Sequence, residues 1–324
     1  MRPLTLAELD AESAAFDACV RASADIDHFC SASDWILPAA EALMPPRLPW
    51  LRQSEHGYVA LMRERHPGGM VLQPLEAMWG LACPIVGAEV AALSAELSAE
   101  LRATAPRDAL MLCGLQQGTP RFGAVVRALG QTHRLRLGMV TRRFGASLAG
   151  GVDGFLSRRS ANFRVALKRA QRRAEARQIR FVPAPVGTAQ ADADRAYDRL
   201  LAVEARSWKG RDEVGIASTE MLAFYRVMIR RLARRGALRL MFAVDGDTDV
   251  AYILGGLFGS TYRGLQFSFA DGYDALSLGN LCQLEQIRAL CDEGVTFYDL
   301  GAEVEYKRRW GETLRETVTL LAVP

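Results

Sequence analysis

Four side chains that can exchange protons or carry charge lie within or just after one short predicted strand near the end of the sequence. The strand is predicted over residues 295–301, and the four residues are Asp299, Glu303, Tyr306 and Lys307. Freeing a primary amine of pKa about 10.4 at pH 7 costs roughly 4.6 kcal/mol, so chemistry at an amine needs a base or a desolvating pocket. Asp299 and Glu303 are the candidate bases, although either could instead bind a cation or close a loop.

A turn that leads into a helix precedes this strand. The helix is predicted to begin within residues 277–281, and its first backbone N–H groups have no partner inside the helix. These groups and the positive end of the helix dipole favour an anion such as a phosphate, and Gly279 would let the anion approach closely. The candidate anion-binding residues are Ser277, Leu278, Gly279, Asn280 and Leu281.

The elements that must position these residues alternate between strand and helix in both halves of the chain. Periodicity in the second half predicts, in order, a strand at 179–182, helices at 191–206 and 219–235, and strands at 238–244, 250–258 and 262–269. Gly246 and Gly259 mark hairpins between the last three strands. The first half shows a similar alternation, which predicts helices at 7–22, 88–103 and 121–129 and strands at 57–62, 70–75, 110–115 and 135–141. The pattern predicts an α/β fold with a mixed sheet in two domains, 1–150 and 151–324, joined near the glycines of 150–154.

Composition and cysteine use agree with a protein that folds in a reducing compartment. Half of the 324 residues are hydrophobic, yet no apolar run reaches the roughly 20 residues that span a bilayer. The first 20 residues predict an acidic amphipathic helix rather than a signal peptide, so we expect a cytoplasmic protein. The six cysteines lie far apart and form no metal-ligand pattern, and we therefore expect neither a disulfide framework nor a metal.

Positive charge is concentrated in one segment, residues 158–180. The segment carries nine lysine or arginine residues and one acidic residue, Glu175, and its apolar residues recur at helical spacing. It predicts an amphipathic helix with a wide basic face, which could be an ordinary solvated surface. It could also dock something acidic: the 3′-phosphate of coenzyme A, an acyl carrier protein or tRNA.

Three motifs in the second half resemble one protein family. They are E-A-R-S-W-K-G at 204–210, G-Y-D-x-x-S-x-G-N-L at 272–281, and G-V-T-F-Y-D-L-G-A-E-x-E-Y-K-R-R-W at 294–310. Together they resemble the FemAB/CelD-like branch of the GNAT acyltransferase superfamily over about residues 150–315. The sequence departs from the family at Leu278, where a proline is usual, but it keeps Gly279.

The resemblance implies two tandem GNAT-like domains, with a degenerate first domain that shapes the acceptor cleft and a second domain that binds acyl-CoA. A purely structural first half is the alternative. It also implies direct transfer of an acyl group from coenzyme A to an amine on a small molecule or peptide, without a metal. Acyl length, acceptor and oligomeric state stay open.

Residue roles follow from the same resemblance. Backbone N–H groups of a distorted strand would polarise the acyl carbonyl, and the candidates are Phe267, Ser268 and Phe269 beside Gln266. Tyr306 would protonate the departing thiolate, with Asp299 or Glu303 as base. The candidate acceptor-binding residues are Trp208, Lys209, Gln266 and Lys307.

Two other functions are compatible with these residues. One is FemAB-like transfer of an aminoacyl group from tRNA, which the basic helix would permit. The other is a catalytically silent binding or scaffold protein that keeps an acyltransferase fold. A co-purifying nucleotide would distinguish the two transferase functions, since coenzyme A would indicate transfer from acyl-CoA and tRNA would indicate transfer from aminoacyl-tRNA.

Overall fold

The structure, a computed structural model, describes residues 1–43, 48–184, 186–212, 215–217 and 219–324. It divides into two compact units: the first comprises Met1–Arg142 and Glu316–Pro324, and the second comprises Arg143–Arg315. The glycines predicted to link two domains do not mark this division, because Gly151 already begins a helix of the second unit.

Helices and strands alternate in the first unit largely as the sequence predicts. Its helices are α1 (Leu6–Ala11), α2 (Ser13–Ala22), α3 (His28–Ser31), α4 (Ser33–Ala42), α5 (Val90–Thr104) and α6 (Pro120–Leu129). Its strands are β1 (Arg2–Leu4), β2 (Leu48–Ser54), β3 (Gly57–His66), β4 (Gly69–Pro74), β5 (Ile85–Val86) and β6 (Ala109–Leu115). Two further strands, β7 (Arg134–Ser147) and β13 (Thr313–Val323), cross the division.

The sheet of the first unit has the strand order β1-β2-β3-β4-β6-β13, and β5 pairs with β3. Neighbours are antiparallel from β1 to β4, β4 is parallel to β6, and β6 is antiparallel to β13. Gly87 lies in the turn ahead of α5, where a Cβ would collide with the His56 carbonyl oxygen. The Gly87 carbonyl accepts a hydrogen bond from Arg121 Nη2 at 3.1 Å. The protein's own guanidinium therefore occupies this turn.

The second unit holds the predicted site. Its helices are α7 (Gly151–Ser157), α8 (Ala161–Ala176), α9 (Gln190–Glu204), α10 (Trp208–Arg211), α11 (Thr219–Arg234) and α12 (Leu278–Asp292). Its strands, besides the end of β7, are β8 (Arg180–Pro183), β9 (Leu238–Asp245), β10 (Thr248–Phe258), β11 (Thr261–Phe269) and β12 (Phe297–Ala302). Short 3-10 turns cover Gly215–Ala217, Asp274–Leu276 and Glu305–Arg309.

The sheet of the second unit repeats the pattern of the first. Its order is β7-β12-β11-β10-β9-β8, with β8 to β11 antiparallel, β11 parallel to β12, and β12 antiparallel to β7. Gly246 and Gly259 both have φ of +59°, which is the left-handed backbone that these tight hairpins require. The hairpins predicted at these two glycines are present.

Helices cover both faces of the second sheet. Ile253 of β10 packs with Leu278 and Leu281 of α12 and with Ala170 of α8. Its neighbour Tyr252 points to the other face, where its hydroxyl donates to Glu204 at the end of α9. The predicted α/β class with a mixed sheet is confirmed in both units, whereas a role of residues 1–150 at the acceptor stays a prediction.

Candidate active site

The parallel strands β11 and β12 are paired only at one end. Their register joins Thr261 to Phe297 and ends with Arg263 opposite Asp299, although β11 continues to Phe269. A bulge adds to the divergence, because Gly255 and Leu254 of β10 oppose Gly264 and Gln266, which leaves Leu265 as an extra residue in β11. The two strands therefore separate beyond Arg263, and the backbone of β11 borders a gap.

A cavity of about 350 Å³ lies at this gap, and we call it the strand-gap cavity. It is lined by residues 264–269 of β11 and, among others, by Trp208, Lys209, Gln283, Tyr306 and Lys307. The structure thus brings together the predicted carbonyl-polarising strand, the predicted acceptor-binding residues and Tyr306. Asp299 and Glu303 do not line this cavity.

The backbone of Phe267 faces the cavity side of β11. Its carbonyl accepts from Lys209 Nζ at 2.8 Å rather than from a neighbouring strand. The N–H and C=O of one strand residue point to the same side, so the Phe267 N–H is directed into the gap as well. Such an amide can donate to a carbonyl oxygen that becomes negatively charged, as the sequence predicts for this strand.

Two lysines present ammonium groups to the strand-gap cavity. Lys209 Nζ donates to Gln266 Oε1 at 3.0 Å as well as to Phe267, and Lys307 Nζ donates to the Ala302 carbonyl at 3.0 Å. All of these acceptors are neutral. Burial lowers the pKa of Lys209, an effect that the Glu204 carboxylate partly offsets.

The Lys307 ammonium is destabilised further by nearby positive charge. Desolvation is the largest cause and Arg263 the next, and with Lys209 they lower the pKa of Lys307 to about 8 despite the opposing effect of Asp299. At pH 7 this side chain is therefore mostly charged, and it loses its proton as the pH rises through about 8.

Two polar groups on the cavity wall have no hydrogen-bond partner. They are Ser268 Oγ and Gln283 Nε2, in side chains that are 2 % and 3 % exposed. Buried polar groups are usually paired, and an unpaired one costs free energy. Both groups are therefore available to a molecule bound in the cavity.

Asp299 is held by two buried arginines. Its Oδ2 accepts from Arg143 Nη1 at 2.6 Å and Arg263 Nη2 at 3.1 Å, and its Oδ1 accepts from the Gly301 N–H at 2.8 Å. These contacts connect the end of β12 to β7 and β11 through the Asp299 side chain. Glu303 likewise accepts from Arg308 Nη2 at 2.8 Å.

Tyr306 stands apart from both carboxylates. Its ring packs edge-on against Phe267 with 5.5 Å between centroids. Partial burial raises the pKa of Tyr306 to about 12, so its hydroxyl stays protonated at neutral pH and can act as a proton donor.

A second cavity, of about 490 Å³, begins on the other side of Tyr306, and we call it the helix-start cavity. Ser277 and Asn280 line it at the beginning of α12, beside the apolar side of α8 and the side chains of Arg308 and Arg309. Ser277 has φ of +55°, and its side chain makes no capping hydrogen bond with the helix. The amides at a helix start and two guanidinium groups suit a phosphate or diphosphate group.

Gly279 packs closely against Phe267 of β11, and its part in anion binding stays a prediction. A Cβ at this position would lie 2.7 Å from a ring carbon of Phe267, so the missing side chain lets α12 pack on β11. Leu278 and Leu281 are fully buried in the core beside Cys282, and only their backbone could reach a ligand. Of the five predicted anion-binding residues, Ser277 and Asn280 line the helix-start cavity.

The sequence contained an unused signal for the strand-gap cavity. The chain has 37 arginines but three lysines, and two of those lysines, Lys209 and Lys307, line this cavity. The third, Lys168, is on the exposed face of α8. Lysine differs from arginine in its compact charge and its readily shifted pKa. The placement of two of the three lysines here therefore indicates positions at which an arginine could not replace a lysine. Gln283, Arg308 and Arg309 were not predicted, because α12 buries polar as well as apolar residues and the two arginines resemble ordinary surface charge.

Comparison with known proteins finds a family match over most of the second unit. Residues 161–308 match the family model of the acetyltransferase (GNAT) domain. Three solved structures are similar over nearly the whole chain. A conserved protein of unknown function from Bacteroides thetaiotaomicron has a TM-score of 0.64 and 10 % identity and covers 100 % of this chain and 99 % of its own.

FemX has a TM-score of 0.63 and 11 % identity, covering 98 % of this chain and 97 % of its own. The C-terminal domain of a putative lysylphosphatidylglycerol synthetase from Agrobacterium fabrum follows with 0.56 and 12 %, covering 94 % and 92 %. At these identities the likeness concerns the fold. The comparison with curated proteins gave no match.

The described residues contain no group of three or more histidine, cysteine, aspartate or glutamate side chains that could hold a metal ion. Every helix in the described ranges is too short or too polar to cross a membrane.

Proposed function

We propose that this chain is a GNAT-superfamily acyltransferase of the FemAB-like branch and that its second unit transfers an acyl group from coenzyme A directly to an amine, a proposal supported by the family match over residues 161–308 and by the fold shared with FemX. The observation that carries the proposal is the position of Tyr306, which lines both the helix-start cavity and the strand-gap cavity. A diphosphate at the start of α12 would place the thioester end of the same molecule beside the β11 backbone.

Acyl-CoA supplies the acyl group as a thioester, and the residues of the strand-gap cavity act on its carbonyl. The Phe267 N–H donates to the carbonyl oxygen as the amine nitrogen attacks and negative charge develops there. Tyr306 gives its proton to the sulfur as the carbon–sulfur bond breaks. The proton that the amine loses restores the phenol, so an amide and a thiol leave and the enzyme is unchanged.

Selection of the neutral amine is part of the proposal. A second cation is disfavoured beside Lys209 and Lys307, so the pocket admits the acceptor as a free amine without a carboxylate base. We accordingly propose that Asp299 and Glu303 are positioning residues that hold Arg143, Arg263 and Arg308.

Binding of coenzyme A tests the proposal. Arg308→Gln with Arg309→Gln should weaken binding at least tenfold, about 1.4 kcal/mol, because two charge-assisted contacts to the diphosphate are lost. The matched control is Arg195→Gln with Arg288→Gln, which removes the same charge from surface ion pairs of the second unit. Calorimetry that finds equal affinities for both double variants would remove the diphosphate from the helix-start cavity.

The exposed side of α8 favours a second candidate, transfer of an aminoacyl group from tRNA. Lys168, Arg169, Arg172 and Arg173 are exposed there, and no carboxylate of the described residues pairs with them. A phosphate backbone could follow such a face. Retention of tRNA by purified protein, with no measurable affinity for coenzyme A, would favour this candidate.

A further inference from the structure

We infer that the strand-gap cavity binds a carboxylate group of the substrate between Lys209 and Lys307. The inference rests on the proposed function, since it concerns the substrate of the same site. It adds a chemical class to that substrate, namely an acidic one.

The charges of the cavity lead to this conclusion. Both ammonium groups donate only to neutral oxygens, so no carboxylate of the described residues neutralises either one directly. The nearest acids are engaged elsewhere. Glu204 accepts from the Tyr252 hydroxyl at 2.6 Å and the Ile216 N–H at 3.2 Å, and Asp299 is held by its two arginines. Two partly buried cations without a counter-charge are costly, and an anion between them reduces that cost.

Hydrogen-bond donors point to the same ligand. Ser268 Oγ and Gln283 Nε2 line the cavity without partners, and each can donate to a carboxylate oxygen. A long alkyl group would leave both of them, and both lysines, buried without compensation. The lining therefore disfavours a fatty acyl chain and favours a short polar group.

The use of lysine rather than arginine in the strand-gap cavity also supports the binding of an anion. A chain that places arginine at 37 positions keeps two of its three lysines for this cavity. An ammonium group is a compact point charge with three donors, whereas guanidinium needs room and partners for five. A small cavity can thus satisfy two ammonium groups with a single carboxylate.

The carboxylate could come from either of two sources. It could be the distal carboxylate of a dicarboxylic acyl group, or the α-carboxylate of an amino-acid acceptor. Both place the same chemistry between the same side chains, so the test has one arm for each.

The first arm compares succinyl-CoA with butyryl-CoA, which have acyl chains of equal length, by calorimetry at pH 7. The second compares an amino acid with its amide as acceptor, at saturating acetyl-CoA. We expect one arm to show a preference of roughly tenfold or more for the carboxylate, the order expected for a charge-assisted contact.

Variants locate the preference within the cavity. Lys209→Met and Lys307→Met should each abolish it, while Lys168→Met, which removes the lysine on α8, should leave it intact. Ser268→Ala provides a smaller change that leaves the charges in place and should reduce the preference severalfold. Melting temperatures of all variants show whether they fold.

The pH dependence has a definite sign. The groups that face Lys307 are Arg263, Asp299 and Lys209, besides its neighbour Tyr306, and together with burial they leave its pKa at about 8. The charged form that attracts the anion exists below this pH, so the preference should be full at pH 7 and should decline as the pH rises above about 8.

The outcomes separate this inference from the proposed function. If coenzyme A binds but neither arm shows a preference, the carboxylate site is refuted and acyl-CoA transfer stands. If no coenzyme A derivative binds, the proposed function fails, and the carboxylate site is then judged by whether free succinate raises the melting temperature in a Lys307-dependent way. A preference that survives both lysine substitutions would also overturn the inference.

Discussion

The Asp299 carboxylate forms ion pairs with two buried arginines, so its replacement should lower the stability of the protein whether or not it takes part in catalysis. Asp299→Asn removes a carboxylate that forms ion pairs with both Arg143 and Arg263, which are 4 % and 2 % exposed. We expect the free energy of unfolding to fall by about 3 kcal/mol, the usual cost of removing one partner from a buried ion pair. Denaturant titration measures this, with Glu303→Gln as the control.

The control should lose less than about 1 kcal/mol, because the Glu303–Arg308 pair is partly open to water. Asp299 would be the base that the sequence suggests if Asp299→Asn kept its stability and lost turnover chiefly at low pH, where an amine most needs a base.

Tyr306 offers a chemical test at the same scale. Tyr306→Phe keeps the ring against Phe267 and removes the proton donor, so turnover should fall at least about tenfold while the affinity for acyl-CoA stays nearly unchanged. Because the pKa of Tyr306 is about 12, the parent enzyme should not lose activity through this group below about pH 11.

The control for this variant is Tyr273→Phe, whose hydroxyl bonds to Asp245 at 2.8 Å outside both cavities. If Tyr306→Phe and the parent had equal turnover, a group other than Tyr306 would protonate the departing sulfur.

At the scale of elements, the packing of α12 on β11 sets the shape of the strand-gap cavity. Gly279→Ala would bring its Cβ to 2.7 Å from the Phe267 ring and so push that ring and the strand out of place. We expect a loss of about 1–3 kcal/mol in the free energy of unfolding, as for other overpacked sites.

A second substitution distinguishes packing from phosphate approach. Phe267→Leu removes ring atoms that the new Cβ would meet, so Gly279→Ala should cost less stability in that background than in the parent. Equal losses of stability in the two backgrounds would contradict the packing role of Gly279 and favour a role in anion binding.

The elements of the second unit were largely predictable because their signals are local. Alternating hydrophobicity and a glycine at each hairpin suffice for β9 to β11, and helical spacing suffices for α8 and α11. In the first unit α4 was missed, since residues 33–39 are buried on every side and Pro38 lies inside the helix, which hides the period.

The cavities were less predictable than the elements around them. Residue types indicated a cluster of acids and bases at β12 and after it. The arginines that donate hydrogen bonds to Asp299, however, come from β7 and β11, which are far away in sequence. The bulge at Leu265 depends on register between strands and leaves no mark in the sequence of β11 alone. Local patterns predict elements, whereas long-range pairing decides which side chains are free to react.

At the scale of the whole molecule, charge is unevenly distributed, and this affects how fast an anionic partner binds. Neutralising Arg169, Arg172 and Arg173 should lower the association rate for coenzyme A or a carrier more at low salt than at high salt, since exposed charges act by steering. Stopped-flow binding at two ionic strengths measures the difference.

The matched control for this prediction is Arg107, Arg134 and Arg136, which are exposed arginines of the first unit. Removing them changes the net charge equally without touching α8. A salt-independent loss in the α8 variant, or the same loss in both variants, would contradict steering by this helix.

The division of the chain also has a consequence for biosynthesis. The second unit has all its residues once Arg315 has been translated, but the first unit receives Val318–Ala322, the residues that pair with β6, only afterwards. The unit translated first is therefore the one that completes its sheet last. Until then β6 has an open edge on the ribosome, where a chaperone or a second nascent chain could pair with it.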